Sequence, residues 1–137
     1  MDDVIKDALE IIGINVVPDG YTDSDGCWYD NDTAELWDAI WCGVFGFCGC
    51  GDVGEQFDRL LKVLHLLDNN DKRHEERIRN ITELNKRPDL HIYLYILDDK
   101  DFSEHGGSVL GSWLTEKGVA LLRVLEYIEE HDEYDNE

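Results

Sequence analysis

Four cysteines are the residues of this chain best suited to hold a metal ion. Cys27, Cys42, Cys48 and Cys50 supply four thiols, the number that a tetrahedral zinc site needs. Structural zinc sites usually pair cysteines two to four residues apart, and Cys48-x-Cys50 is closer than that. Buried, reduced thiols of a cytoplasmic protein are the alternative, because cysteine is among the most buried residue types. The main expectation is therefore no cofactor, with zinc kept open.

A loop rich in aspartate offers oxygen ligands for calcium. The candidate ligands are Asp23, Asp25, Asp30 and Asp32. If Gly26 is taken as the sixth position of an EF-hand loop, the first position is Tyr21 and the twelfth is Asp32 rather than glutamate. The register therefore does not fit, and a solvated acidic loop is favoured.

A glycine segment suggests phosphate chemistry. Gly49-x-Gly51-x-x-Gly54 has the spacing of the dinucleotide-binding fingerprint, but the residues before it read as a helix rather than a strand. Downstream, a basic cluster that includes Arg73 and Arg77 could complete an anion or nucleotide pocket. Salt bridges along a helix surface explain the same charges. Binding of a small ligand or nucleotide is accordingly the second functional hypothesis.

No arrangement of side chains indicates an enzyme. Ser108 and Ser112 lie too close to His105 in sequence to indicate a nucleophile and its base. Glu104-His105 lacks the second histidine that a zinc protease helix carries. We therefore expect no catalytic activity.

The charge is the most unusual feature of the composition. The net charge is −20, and residues 1–58 contain 14 Asp or Glu with Lys6 as their single basic residue. Such a field favours basic protein surfaces and disfavours nucleic acid and anionic membranes. The expected partner is a protein with a basic surface, contacted by Asp19, Asp23, Asp25, Asp30, Asp32, Trp28, Glu104 and His105.

The elements that position these residues are mostly helices. Apolar residues at helical spacing predict helices within 2–12, 34–45, 52–69, 71–85 and 90–99, and the last of these could also be a strand. Residues 14–31 predict an irregular or hairpin segment. Trp37 and Trp41 are expected in the core, unless they are exposed together with Trp28 as a contact patch. The longest apolar stretch is too short to span a bilayer, so a cytoplasmic protein is expected.

The C-terminal third has the clearest architecture. Gly106-Gly107 predicts a β-hairpin, and Thr115 is placed to cap a helix that runs to Glu130. This region resembles the C-terminal part of winged-helix transcription regulators. The resemblance lies in the order of a helix, a hairpin and a second helix that begins with Leu-Thr-Glu-Lys-Gly. The expected fold is mainly α (α+β), a compact helical domain with a winged-helix-like hairpin and a long closing helix. We expect one domain over 1–137, divided into 1–51, 52–130 and an acidic tail, 131–137.

The charge of this region departs from that of DNA-binding winged helices. Between Pro88 and Trp113 the only basic residue is Lys100, against five acidic residues. Phosphate neutralisation supplies most of the non-specific affinity of DNA-binding proteins, so duplex DNA should be repelled. A DNA-binding regulator is thus the third hypothesis, and it depends on the fold resemblance alone.

A second resemblance is to small acidic proteins of phages and prophages of Gram-positive bacteria. It depends on Cys-Gly-Cys-Gly at 48–51 and on the Glu-His-Gly-Gly-Ser-Val-x-Gly-Ser-Trp-Leu-Thr block at 104–115. The resemblance implies a viral or mobile-element origin, and it implies nothing about catalytic residues. The leading hypothesis is therefore an anti-defence protein that engages a host protein by occupying its basic groove, with the oligomeric state left open.

Overall fold

The structure is a computed structural model that describes residues 3–47, 53–68, 73–107 and 111–131. Its α-helices are α1 (Asp3–Ile12), α2 (Thr33–Asp38), α3 (Val53–Leu67), α4 (His74–Asn85), α5 (His91–Asp99) and α6 (Glu116–His131). A π-helical turn, Ala39–Val44, follows α2, and a 3-10 turn, Pro88–Leu90, precedes α5. The strands are β1 (Asn15–Val17), β2 (Gly20–Thr22), β3 (Trp28–Asp30), β4 (Ser103–Glu104) and β5 (Trp113–Leu114). The predicted mainly α (α+β) class is confirmed.

The chain divides into two compact units, and the prediction of a single domain stays a prediction. The first unit comprises Met1–Val53 and Arg123–Glu137, and the second comprises Gly54–Leu122. None of the helices in the described ranges is both long enough and apolar enough to cross a membrane.

Helix α1 opens the first unit and ends as the sequence predicts. Leu9 and Ile12 are buried on one face of the helix. Gly13 adopts a φ of 96°, and its N–H donates to the carbonyl of Glu10 at 3.1 Å. Glycine enters this left-handed conformation without the steric penalty of a side chain, so it can close the helix and turn the chain into β1.

The segment predicted as irregular or hairpin forms a three-stranded antiparallel sheet in the order β1-β2-β3. Val16 pairs with Tyr21, and Tyr21 pairs with Tyr29, so these three side chains share one face. Tyr21 is buried, which identifies that face as the one turned towards the core. The opposite face carries Trp28 and is open to solvent. The hairpin alternative agrees with β1 and β2, whereas the third strand was not predicted, because a strand of three residues gives too short a pattern.

Helix α2 begins after a capping aspartate and continues into a wider turn. The side chain of Asp32 accepts a hydrogen bond from the N–H of Glu35 at 2.7 Å. Further on, the N–H of Phe45 donates to the carbonyl of Ile40, the spacing of a π-helix. Trp37 and Trp41 are 4% and 7% exposed, and their rings stack with centroids 5.3 Å apart. Both tryptophans belong to the core, so the alternative of a patch shared with Trp28 is wrong.

The second unit begins with a well-buried helix and an exposed one. The buried residues of α3 are all aliphatic: Leu60, Leu61, Val63, Leu64, Leu66 and Leu67. In α4 the only buried apolar residue is Leu84, while Ile78 and Ile81 are exposed. Both helices lie within the predicted ranges, 52–69 and 71–85, and α4 is largely exposed.

Residues 90–99 form a helix, which decides between the two predicted alternatives. Tyr93, Leu94 and Leu97 are buried at helical spacing. Beyond it, Ser103 pairs with Leu114 and Glu104 with Trp113, so two antiparallel strands flank the segment that contains Gly106-Gly107. A turn at the glycine pair itself stays a prediction, because residues 108–110 lie outside the described ranges. The winged-helix resemblance itself stays a prediction, since two such residue pairs do not define that fold.

The opening of α6 explains part of the Leu-Thr-Glu-Lys-Gly segment. Oγ1 of Thr115 accepts a hydrogen bond from the N–H of Gly118 at 3.2 Å and donates one to the carbonyl of Asp101 at 2.7 Å. A Cβ atom at Gly118 would lie 2.0 Å from the carbonyl oxygen of Phe102. Glycine is therefore required here because the backbone before the hairpin passes against the first turn of α6.

Candidate protein-binding face

Asp23 holds the loop between β2 and β3. Its Oδ1 accepts hydrogen bonds from the backbone N–H groups of Asp25, at 2.9 Å, and Cys27, at 3.0 Å, while Oδ2 accepts one from the hydroxyl of Tyr29. The residue is 5% exposed. A Cβ atom at Gly43 would lie 2.7 Å from its carboxylate, so Gly43 leaves the room that this side chain occupies. Asp23, predicted as a partner contact, therefore has its carboxylate turned into its own loop.

The same hydrogen bonds determine the ionisation of the pair. Burial raises the pKa of Asp23, while the hydrogen bonds from Tyr29 and the backbone lower it. The lowering effect is the larger one, so the pKa lies below the usual value for aspartate. Burial and the hydrogen bond to Asp23 both raise the pKa of the Tyr29 hydroxyl. At neutral pH the pair is thus a carboxylate and a neutral phenol, a stable structural contact.

Trp28 lies on the solvent-facing side of the sheet. It is 54% exposed, unlike Trp37 and Trp41. A Cβ atom at Gly20 would lie 2.9 Å from both Cε2 and Nε1 of the indole. The ring therefore rests directly on the backbone of β2, and only glycine permits this approach.

Several predicted partner residues meet at one end of this sheet. Gly20 pairs with Asp30, so the β1–β2 turn that contains Asp19 lies at the same end as Asp30. Asp32 follows two residues later at the start of α2. We call the five carboxylates gathered there the acidic end: Asp19, Asp30, Asp32, Glu35 and Asp38. The structure places Asp25 in the loop at the opposite end of the sheet.

Two members of the acidic end were not predicted from the sequence. Burial raises the pKa of Glu35, and the charges of Asp38, Asp32 and Asp30 raise it further. Burial and the charge of Asp32 raise the pKa of Asp38. The available signal was the repeated spacing of three residues, from the capping Asp32 to Glu35 and from Glu35 to Asp38, because helix residues three apart share a face.

The acidic end lies in a unit with few cations. Among its described residues the first unit has thirteen carboxylates, and its Lys and Arg residues are only Lys6 and Arg123. None of those described carboxylates forms an ion pair, whereas ion pairs recur in the second unit. There, Arg59 contacts Glu55, and Lys62 Nζ lies 2.9 Å from Glu83 Oε1. The segregation of charge seen along the sequence is thus also a segregation between the units.

Glu104 and His105, the remaining predicted partner residues, belong to the second unit. Both are exposed at the β4 end of the hairpin. Nδ1 of His105 lies 3.2 Å from Oδ1 of Asp98, within hydrogen-bonding distance. The acidic end consists of residues of the first unit, so Glu104 and His105 are not members of it.

The predicted ligand site falls only partly on described residues. Gly49 and Gly51 lie outside them, and Gly54 is exposed near the start of α3. Arg73 helps to line an open depression of about 350 Å³ with Glu75, Glu76, Arg79 and Asn80, whereas Arg77 is not part of its wall. Two glutamates accompany the two arginines, so the depression has little net positive charge with which to bind an anion.

The predicted zinc site also extends beyond the described residues, because Cys48 and Cys50 lie outside them. Cys27 is an exposed free thiol and Cys42 a half-buried one. In the described part of the chain, no three His, Cys, Asp or Glu side chains are grouped to hold a metal ion. The expectation of no cofactor, with zinc as the open alternative, stays a prediction.

Comparison with known proteins adds no relative from which a function could be transferred. No family model matches the chain, and the searches of curated proteins and of solved structures gave no significant match. The functional argument therefore depends on the residues and their geometry.

Proposed function

We propose that this protein binds a partner protein through a basic surface of that partner, using the carboxylates of the first unit. The observation that carries the proposal is that the described carboxylates of that unit form no ion pairs while five of them gather at the acidic end. Unpaired like charges held together cost free energy, and an external cationic surface relieves that cost.

The class of partner follows from the charge and its density. Surfaces that bind nucleic acid are rich in Lys and Arg, so they are the protein surfaces most complementary to a row of carboxylates. We propose that the protein occupies such a surface in place of nucleic acid. The resemblance to phage proteins adds the biological setting to this proposal. In that setting the protein would be an anti-defence inhibitor that acts on a host protein in the bacterial cytoplasm.

The test is a competition experiment in two parts. Tagged protein is used to capture partners from a Gram-positive bacterial lysate at about 0.1 M and about 0.5 M salt, with and without added duplex DNA. We expect a captured protein that salt and DNA both displace. The double variant Asp19→Asn/Asp30→Asn should capture less of it, since it removes two carboxylates of the acidic end without altering side-chain size.

The purified partner then provides the decisive measurement. If it binds labelled DNA, this protein should release that DNA in proportion to the complex formed. Capture that is indifferent to salt and to the double variant, or a partner that retains its nucleic acid in the complex, would contradict the proposal.

A further inference from the structure

Trp28 is an exposed aromatic side chain in a strand, where burial against a neighbouring element would be the usual arrangement. Trp113 in β5 is also exposed, at 39%, but it belongs to the second unit. No described side chain stacks on Trp28, and no described cation lies over its ring. Large aromatics that remain exposed in a free protein are common anchors of protein interfaces.

The indole is held in one place before any partner arrives. Its Cε2 and Nε1 edge lies on the backbone at Gly20, and its own backbone is fixed in β3 by the pairing with Thr22. Asp23 holds the preceding loop through the N–H groups of Asp25 and Cys27. A ring fixed in this way loses little conformational entropy when it is covered, which favours tight contact.

The surroundings of the ring select for positive charge. Asp30 lies two residues along the same strand and therefore on the same face, and Asp19 precedes the glycine on which the indole rests. The negative face of an aromatic ring attracts cations, and nearby carboxylates add to that attraction. The aromatic ring and the carboxylates of this face thus both favour a cationic group.

We infer that this sheet face is a docking surface for an arginine side chain of the partner, with its guanidinium stacked on Trp28 and its N–H groups directed to the acidic end. Arginine fits better than lysine because its planar guanidinium can stack on indole and still pair with a carboxylate, whereas an ammonium acts as a compact, strongly hydrated charge. The inference rests on the proposed function and specifies which type of partner residue is recognised.

The test measures binding of two defined peptides, nona-arginine and nona-lysine, by the wild-type protein and two variants. Wild type should bind nona-arginine more tightly. Trp28→Ala should weaken nona-arginine binding about threefold, the scale of an exposed cation–π contact, and should reduce the preference over nona-lysine. Trp113→Ala, which removes an exposed tryptophan of the second unit, should leave both affinities unchanged, and Trp28→Phe should retain part of the preference.

An NMR titration of the ¹⁵N-labelled wild-type protein makes the test independent of variant stability. The indole N–H signal of Trp28, identified by its loss in Trp28→Phe, should shift more than that of Trp113 when nona-arginine is added. If binding is strong but equal for both peptides and unaffected by Trp28→Ala, the arginine site is wrong and the acidic surface remains. If neither peptide binds at low salt, the proposed function and the arginine site both fail.

Discussion

The hydroxyl of Tyr29 donates a hydrogen bond of 2.9 Å to Oδ2 of Asp23, across the loop that joins β2 to β3. The contact connects a strand residue to the carboxylate that organises the loop. Because that carboxylate is buried, each of its hydrogen bonds offsets a desolvation cost. Trp28 lies between the two residues in sequence, so it directly follows the loop that Asp23 holds.

Removing the phenolic hydroxyl should destabilise the protein. Tyr29→Phe leaves one oxygen of a buried carboxylate without its side-chain donor, and we expect a loss of about 1–2 kcal/mol in the free energy of unfolding. Urea titration followed by circular dichroism measures it. Tyr95→Phe, at an exposed position of α5, is the matched control and should change stability by less than about 0.5 kcal/mol. Equal effects of the two variants would count against the role given to the pair.

The stability contributed by Asp23 should depend on pH in a defined direction. Its pKa in the folded protein lies below the value in the unfolded chain, where it is near the ordinary aspartate value of 3.8. The stabilisation is therefore complete above about pH 4 and is lost as the pH falls through the folded pKa. Asp23→Asn should be less stable than wild type at pH 7, and the difference should shrink below pH 4. Asp25→Asn, in the same loop but exposed, should show no comparable difference at pH 7.

The opposite sign is expected at Asp38. Burial and Asp32 raise its pKa, so the folded state holds this proton more tightly than the unfolded state does. The charged carboxylate is therefore destabilising at neutral pH, and the penalty disappears as the pH falls from the raised pKa to the unfolded one. Asp38→Asn should raise the free energy of unfolding at pH 7 by about 0.5 kcal/mol. Asp58→Asn, an exposed site on α3, should give little change, and a destabilised Asp38→Asn protein would show that the carboxylate has a structural role.

Most of the helices could be predicted because they bury an apolar stripe on one face. Residues 90–99 were harder, since the spacing of Leu94 and Leu97 fits a helix while the segment is also rich in residues that favour strands, so the sequence left both alternatives open. The three-residue strands β1 to β3 gave no comparable periodicity. Their pairing depends on contacts between residues distant in sequence, such as Gly20 with Asp30.

The candidate site was predictable in composition but not in arrangement. Charge alone placed Asp19, Asp30 and Asp32 among the partner contacts, and the sheet register now brings them to one end. Composition could not separate Asp23 from its neighbours, because only the loop geometry shows that its carboxylate accepts hydrogen bonds from its own loop. Trp28 could be named from the sequence, but its placement over Gly20 required the strand pairing.

Adding one methyl group at Gly20 should displace the indole of Trp28. A Cβ atom there would lie 2.2 Å from the carbonyl oxygen of Tyr29 and 2.9 Å from the indole, so both must move. We expect Gly20→Ala to lower the free energy of unfolding by about 2 kcal/mol and to shift the Trp28 indole N–H signal. Gly106→Ala is the control, because nothing lies within 4 Å of the added atom. An unchanged Trp28 signal in Gly20→Ala would contradict the close approach described above.

The location of charge, rather than its total, should govern binding to cationic peptides. Asp19→Asn/Asp30→Asn and Glu75→Gln/Glu76→Gln each remove two of the charges that make up the net −20, the first pair from the acidic end and the second from α4. If the acidic end forms the contact, the first double variant should bind nona-arginine more weakly than the second at every salt concentration. Isothermal titration calorimetry at about 0.05 M and about 0.15 M salt provides the comparison, with circular dichroism as the check on folding. Equal weakening by the two variants would mean that the peptide responds only to the net charge, because a diffuse field acts on it without regard to where the carboxylates lie.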